Sequence, residues 1–347
     1  MRCRGDAEDL TLPAKCRMIN KTKCFYISVK EEHGMSGYTI QNPSPEQLPG
    51  NIRDPFILRV GDVYYLTGTS APFWQGPVEG LKLYRSSDLC HWEFVTWLIK
   101  REDIDPAAWY IDRLWAPEIL ATDHGYYLTF NGRNVSEEHW HNLHSAIAFS
   151  EHIEGPYTVL TKEKSFTETV RFPDGLTYDL ANDASMFAEN GRYYFFFCNA
   201  GGIWGTEIEL PSCKPVGEAV LLIPQGEEGR WDTKIEGPFV HKQGDTYYLF
   251  YSSFTGPYSV GCVTAKSILG PYTPSPDMPL IYPHEGTEVA HSGHNNVFTT
   301  PAGTVLTAYH AQLHQDMTER LCISELRFGP DGEISTDAPD MGEHTFL

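Results

Sequence analysis

The chain has no apolar run of 18 residues, so no segment of it reads as a membrane-spanning helix. Clusters of Lys and Arg are missing too. With 26 basic and 46 acidic residues the formal charge is −20, which argues against a nucleic-acid partner, because phosphate binding needs grouped cations. No Cys-x-x-Cys pair occurs among the eight cysteines, which argues against a cysteine zinc site. Their number is even, but a chain of 347 residues builds a core without staples, so free and mostly buried thiols are expected. A 3.6-residue apolar period is nearly absent, which leaves little room for helix. The basic N-terminus lacks the apolar core of a secretory leader, since Pro13, Lys15, Arg17 and Lys21 break up residues 10–24. The chain as it stands is expected to be cytoplasmic, or secreted or periplasmic if a leader has been removed. Residues 1–39 show no clear period and are expected to form an extension, partly disordered. Nothing in the sequence fixes an oligomeric state.

What the chain does have is aromatics, glycine and proline. Aromatics make up 13% of residues, and there are 30 Gly and 24 Pro, a usage that suits many short strands joined by tight turns. Five times a short apolar strand is followed by a glycine turn and a second strand. Four of these second strands open on paired tyrosines: Tyr64-Tyr65, Tyr126-Tyr127, Tyr193-Tyr194 and Tyr247-Tyr248, with Val305-Leu306 in the fifth copy. The period of about 60 residues suits a four-stranded propeller blade with long loops. Later strands repeat as well, in Gly155-Pro156-Tyr157 and Gly270-Pro271-Tyr272. The expected fold is all-β, a five-bladed β-propeller over residues 40–347 with blades of about four antiparallel strands around a central channel. A β-sandwich with chance similarity between strands is the competing architecture; it does not explain why strand, turn and aromatic pair recur together.

The strand openings carry ionisable groups in register. Asp54, Ala116 and Asp183 precede their aromatic pairs by ten residues, and Glu236 and His294 precede theirs by eleven. Innermost strands of a propeller line its channel, so three carboxylates and a histidine would meet at one mouth. Two carboxylates across a pocket are what glycoside hydrolysis needs, one protonated to donate to the leaving oxygen and one ionised. A third acid can hold the donor's proton on by like-charge repulsion.

The five openings are Arg53-Asp54-Pro55-Phe56-Ile57, Trp115-Ala116-Pro117-Glu118-Ile119, Asn182-Asp183-Ala184-Ser185-Met186-Phe187, Glu236-Gly237-Pro238-Phe239 and Gly293-His294-Asn295-Asn296-Val297-Phe298. With these motifs in order, one per blade, the chain resembles glycoside hydrolase family 43, propeller enzymes that act on arabinose- and xylose-containing glycans. The resemblance covers roughly residues 40–335. It implies Asp54 as general base, Asp183 as the acid that tunes the donor and orients substrate, and Glu236 as general acid in an inverting mechanism. It also implies a carbohydrate substrate, and it sets His294 beside a largely water-coordinated cation, often calcium. Oxygen-seeking calcium would find one histidine with Asn295 and Asn296 a poor direct cage.

Each candidate has a structural competitor. Asp54 is also suited to capping a turn before Pro55, and Asp183 has Asp179 and Asn182 as neighbours. Glu236 is placed to pair with Lys234. Glu118, two residues past the register position, is expected to brace the channel more than to do chemistry. For substrate contact the candidates are Trp74, Phe73 and Trp115 with Glu118, aromatics being suited to the apolar faces of sugar rings; Trp140, Trp204 and Arg320 are weaker candidates. The favoured activity is exo-acting release of arabinofuranose or xylose. An endo-arabinanase, a galactosidase or an anhydrosugar hydrolase on the same fold is the alternative, and a non-catalytic sugar-binding propeller is a third reading that three intact acids count against.

Overall fold

The computed structural model describes residues 30–346 apart from 33–34, 75–76, 135–142, 177, 179, 276, 315–317, 330–331, 340 and 342. Most of residues 1–39, together with Trp140 and Asp179, therefore lie outside the described residues. The expected β-propeller is the observed fold. Four antiparallel sheets have four strands each, and a fifth has three. The innermost strands are Ile52–Val60, Asp112–Thr122, Asn182–Glu189, Ile235–Gln243 and Val289–Thr299. Each packs beside the next, and the last returns to the first, closing the ring. Two 3₁₀ turns, Arg101–Asp103 and Thr167–Thr169, are the helical elements among the described residues, and no helix there is long and apolar enough to cross a membrane.

The paired aromatics have a specific purpose. Side chains alternate across a strand, so adjacent residues face opposite sides of a blade. Tyr64 packs in the cluster between the fifth and first blades, and Tyr65 against the one between the first and second. Tyr126 and Tyr127 divide in the same way between the second blade's two neighbours, as do Tyr193 and Tyr194 in the third and Tyr247 and Tyr248 in the fourth. Val305 and Leu306 complete the circuit in the fifth. Each pair thus supplies one side chain to each of two of the five apolar layers that separate the blades. The hairpin turn before the third pair is Asn190-Gly191, with φ of 52° and 73°, the left-handed conformations that a tight two-residue turn requires.

The ring is closed by the segment that precedes the first blade. Asn42 Oδ1 accepts the Ile323 N–H at 2.8 Å at the outer edge of the three-stranded sheet, and Leu48 and Ile52 pack with Phe298, Leu306 and Leu321. Further out, Met35–Gln41 pairs with Glu343–Phe346 and with Lys30–Glu32 in a small sheet, so the expected boundary at residue 39 falls inside a strand. The five cysteines described, Cys90, Cys198, Cys213, Cys262 and Cys322, are free, and all but Cys213 are buried.

Replacing Asn42 with Ala would leave the Ile323 amide buried without an acceptor. A loss of about 1–3 kcal/mol in unfolding free energy is expected by urea titration. An unchanged midpoint and slope would mean that this contact does not hold the seam.

Candidate active site

Each innermost strand breaks its ladder at an equivalent place, and the second and fifth break it once more nearer their starts, between Asp112 and Trp115 and between Val289 and His291. The register slips between Arg53 and Phe56, Trp115 and Glu118, Asn182 and Ser185, Glu236 and Phe239, and Gly293 and Asn296. At each slip one residue takes a left-handed conformation: Asp54 (φ 50°), Ala116 (46°), Asp183 (53°), Gly237 (59°) and His294 (51°). Such conformations cost a non-glycine residue about 1–3 kcal/mol and persist only where the surroundings enforce them. The bulge turns three side chains toward the axis and corrects the register read from sequence. Gly237, not Glu236, is the structural equivalent of Asp54 and Asp183, and Glu236 corresponds to Arg53. The nearest His294 ring atom lies 3.2 Å from where a Gly237 Cβ would stand, so a side chain at the fourth bulge would press on that ring.

A neighbouring blade fastens every bulge. Thr69 Oγ1 accepts the Ala116 N–H at 2.8 Å, Asn131 Oδ1 accepts the Asp183 N–H at 2.8 Å, and Ser252 Oγ accepts the His294 N–H at 2.8 Å. His310 Nδ1 accepts the Asp54 N–H at 3.3 Å, so its proton is on Nε2. The Gly237 N–H faces the Cys198 thiol and donates to Asp183 Oδ2 at 3.2 Å. The four acceptors Thr69, Asn131, Ser252 and His310, and Cys198 facing the Gly237 amide, are ladder partners of Arg53, Trp115, Glu236, Gly293 and Asn182 respectively.

The acids sit in unlike surroundings. Asp54 is buried; its Oδ2 takes the Thr69 hydroxyl at 2.6 Å, and its Oδ1 lies 3.1 Å from His294 Nδ1 and 3.5 Å from Arg53 Nε. Burial alone would raise this carboxyl, but His294 and Arg53 outweigh it and hold it well below the usual carboxylate range. Burial likewise opposes charge on His294, yet Asp54 raises its imidazole to about 9, so the pair is ionised at neutral pH. Asp183, also buried, takes Asn131 Nδ2 on Oδ1 at 2.6 Å. Glu236 is half-buried, and its Oε1 accepts the Tyr258 hydroxyl at 2.8 Å. Enclosure and the negative charge of Asp183 push it up to about 7, against the pull of Arg53 and Tyr258. Lys234 is exposed, and the side-chain contact of Glu236 is Tyr258 instead of the ion pair that competes with its catalytic reading.

Trp74 is on the rim, 54% exposed, with its ring 5.3 Å from that of Trp115 and 5.2 Å from the Arg53 guanidinium. Phe73 adjoins it, half-buried. Glu118 is deeper: it is buried, bonds Ser185 of the next blade, and lines a cavity of about 410 Å³ toward the opposite mouth with Phe56, Thr129, Phe239 and Asn296. Burial pushes it up to about 8. Glu118 thus stands apart from the rim aromatics Trp74 and Trp115, with which the sequence groups it as a substrate contact. Trp204 packs against Phe172 and bonds Asn199, so it is core.

Sequence reasoning missed Arg53, Tyr258, His310 and Glu319. Arg53 lies between the Trp74 and Tyr258 rings and pairs with Glu319 at 2.7 Å. Its place beside Asp54 was a usable signal, as was the Phe254–Tyr258 loop for Tyr258; His310 and Glu319 have no local one. In the last blade it is Glu319 that meets Arg53, while its neighbour Arg320 lines a separate pocket with Pro43 and Leu48. Among the described residues no group of three or more His, Cys, Asp or Glu side chains is placed to hold a metal ion. His294 commits Nδ1 to Asp54, and Asn295 donates to Thr307. This donor set makes no direct cage for calcium, which takes about six to eight oxygens.

The family profile described as "Glycosyl hydrolases family 43" matches residues 41–334. The chain is 28% identical over 279 residues to "Xylan 1,3-beta-xylosidase" of Vibrio sp, covering 76% of this chain and 48% of that protein. It is 27% identical over 277 residues to "Xylosidase/arabinosidase 43B" of Humicola insolens (76% and 47%). It is 25% identical over 271 residues to "Extracellular endo-alpha-(1->5)-L-arabinanase" of Thermotoga petrophila (69% and 54%). The chain thus spans about half the length of the curated relatives it matches. A crystal structure of a thermostable family-43 glycoside hydrolase superposes with a TM-score of 0.70 at 26% identity, covering 85% of this chain and 97% of that one.

The Asp54–His294 pair ties stability to pH. The Asp54 contribution is complete above its unfolded value near 3.8 and is lost as pH falls from there through its lowered folded value, while the raised His294 contributes below 6.5 and is lost as pH rises through about 9. The melting-temperature gap between the native protein and His294→Gln should therefore be widest near pH 5–6 and shrink toward pH 9.5. A gap that stays constant over that range would sink the ion pair.

Proposed function

The chain belongs to glycosyl hydrolases family 43, and from that membership we propose that it is an inverting glycosidase, exo-acting on arabinose- or xylose-containing plant oligo- or polysaccharides. The observation that carries this reading is the split between two carboxyls at one channel mouth. Asp54 is held ionised by His294 and Arg53, while Glu236 is kept neutral to about pH 7. Glu236 donates its proton to the glycosidic oxygen as the bond from the anomeric carbon breaks. Asp54 orients a water and takes its proton as the water oxygen attacks from the opposite face. Asp183 keeps the proton on Glu236 through its negative charge and, by accepting the Gly237 N–H, holds the strand that carries the donor. Trp74, with Trp115 and Phe73 behind it, supplies an aromatic wall for a sugar face. The proposed catalytic unit runs from about residue 40 onward.

The names of the relatives support pentose glycosides: xylosidase for one, xylosidase/arabinosidase for another. The arabinanase similarity supports endo action on arabinan as the second reading. A water-coordinated calcium beside His294 is outside this mechanism, because the positive charges it uses are those of His294 and Arg53.

A panel of nitrophenyl arabinofuranosides, xylosides and galactosides, with linear arabinan alongside, separates these readings. Turnover of the first two and none of the polymer's interior bonds is expected; activity on interior arabinan bonds alone would overturn exo action. Asp54→Ala and Glu236→Ala should each lower kcat by about 10²–10⁴. Proton NMR of the first-released anomer should show inversion, and retention would overturn the mechanism. Activity should also decline as pH rises through about 7, where Glu236 loses the proton it must donate.

A further inference from the structure

We propose that Tyr258 is a positioning residue for the proton donor, selecting which oxygen of Glu236 carries the transferable proton. This rests on the reading of Glu236 as general acid. The Tyr258 hydroxyl lies 2.8 Å from Glu236 Oε1. Burial and the neighbouring Glu236 charge push the phenol well above its ordinary range, so it stays an O–H and donates. An oxygen that accepts such a bond serves as the carbonyl oxygen of the neutral carboxyl. The acid proton is therefore left to Oε2, away from the tyrosine.

The ring that holds this hydroxyl is fixed on every side. It stacks on the His310 ring at 5.2 Å and 20°, and the Arg53 guanidinium lies 5.2 Å from its centroid. Its own backbone N–H donates to His291 Nδ1 at 2.9 Å. Its Cδ1–Cε1 edge also lies against Gly293, where an added Cβ would stand 2.2 Å from both atoms. That contact gives the glycine before His294 its reason. The same His310 accepts the Asp54 amide, so one stack of side chains, Asp54 backbone to His310 to Tyr258 to Glu236, spans the site from proposed base to proposed acid. The charged and titratable groups facing Tyr258 are Glu236, Arg53, Asp54, Asp183, His291 and His310; those facing Glu236 also include His294.

A donated hydrogen bond favours the ionised carboxylate, so Tyr258 opposes Asp183 and burial in setting the donor's proton affinity. Tyr258→Phe keeps the ring and its stack and removes only the hydroxyl. The alkaline limb of the kcat/KM profile should move up by about one pH unit. On a glycoside with a poor leaving group kcat should drop about tenfold with KM unchanged, and a nitrophenyl substrate, which needs little protonation, should be far less affected. Gly293→Ala, which displaces the ring, should move the limb the same way. Glu236→Ala is the parallel arm. If it abolishes the alkaline limb while Tyr258→Phe leaves it in place, or only lowers the melting temperature, the Tyr258 proposal is overturned and Glu236 stands as donor. If the limb survives in Glu236→Ala, both fall together.

Discussion

At an equivalent residue each innermost strand bulges out of its ladder, and the preceding blade bonds or faces that residue's amide. The site depends on this relation. A left-handed bulge is costly on its own, and four of the five here are made by residues with side chains, Asp54, Ala116, Asp183 and His294. What holds these four amides is a circumferential set of acceptors, Thr69, Asn131, Ser252 and His310, each reaching across from the preceding blade. Without that ring of bonds the side chains would return to the alternation of an ordinary strand and leave the axis.

The charges obey the same constraint. Asp54 gains its anionic character because the bulge of the fifth blade turns His294 onto it and its own strand places Arg53 alongside. Glu236 precedes its bulge instead of occupying it, and there burial and Asp183 outweigh the pull of Arg53 and His294. Equivalent backbones thus give two carboxyls opposite proton affinities, as hydrolysis of a glycosidic bond demands.

Much of this was legible in the sequence. The aromatic pairs could be read as a repeat because each serves two interfaces and so neither member is free to drift toward a polar residue. The acids could be read because a fixed distance to those pairs makes them equivalent. The one-residue offset of Glu236 was visible as a spacing of eleven but carried no meaning until the bulge was seen, since a slip in the ladder has no composition of its own. His310 and Glu319 were illegible for a related reason. They come from the second and third strands of the last blade and reach the first only through ring closure, over more than 250 residues of chain.

The five bulges are held by their amides, and an amide is common to every residue but proline. The backbone therefore accepts aspartate, alanine, glycine or histidine at the same point without being rebuilt. Ala116 is in this sense an idle socket, fastened like the others and carrying no functional group. An axis organised this way allows its chemistry to be rewritten one position at a time while the fold stays put, and gives natural variation and laboratory redesign a common route from one hydrolytic specificity to the next.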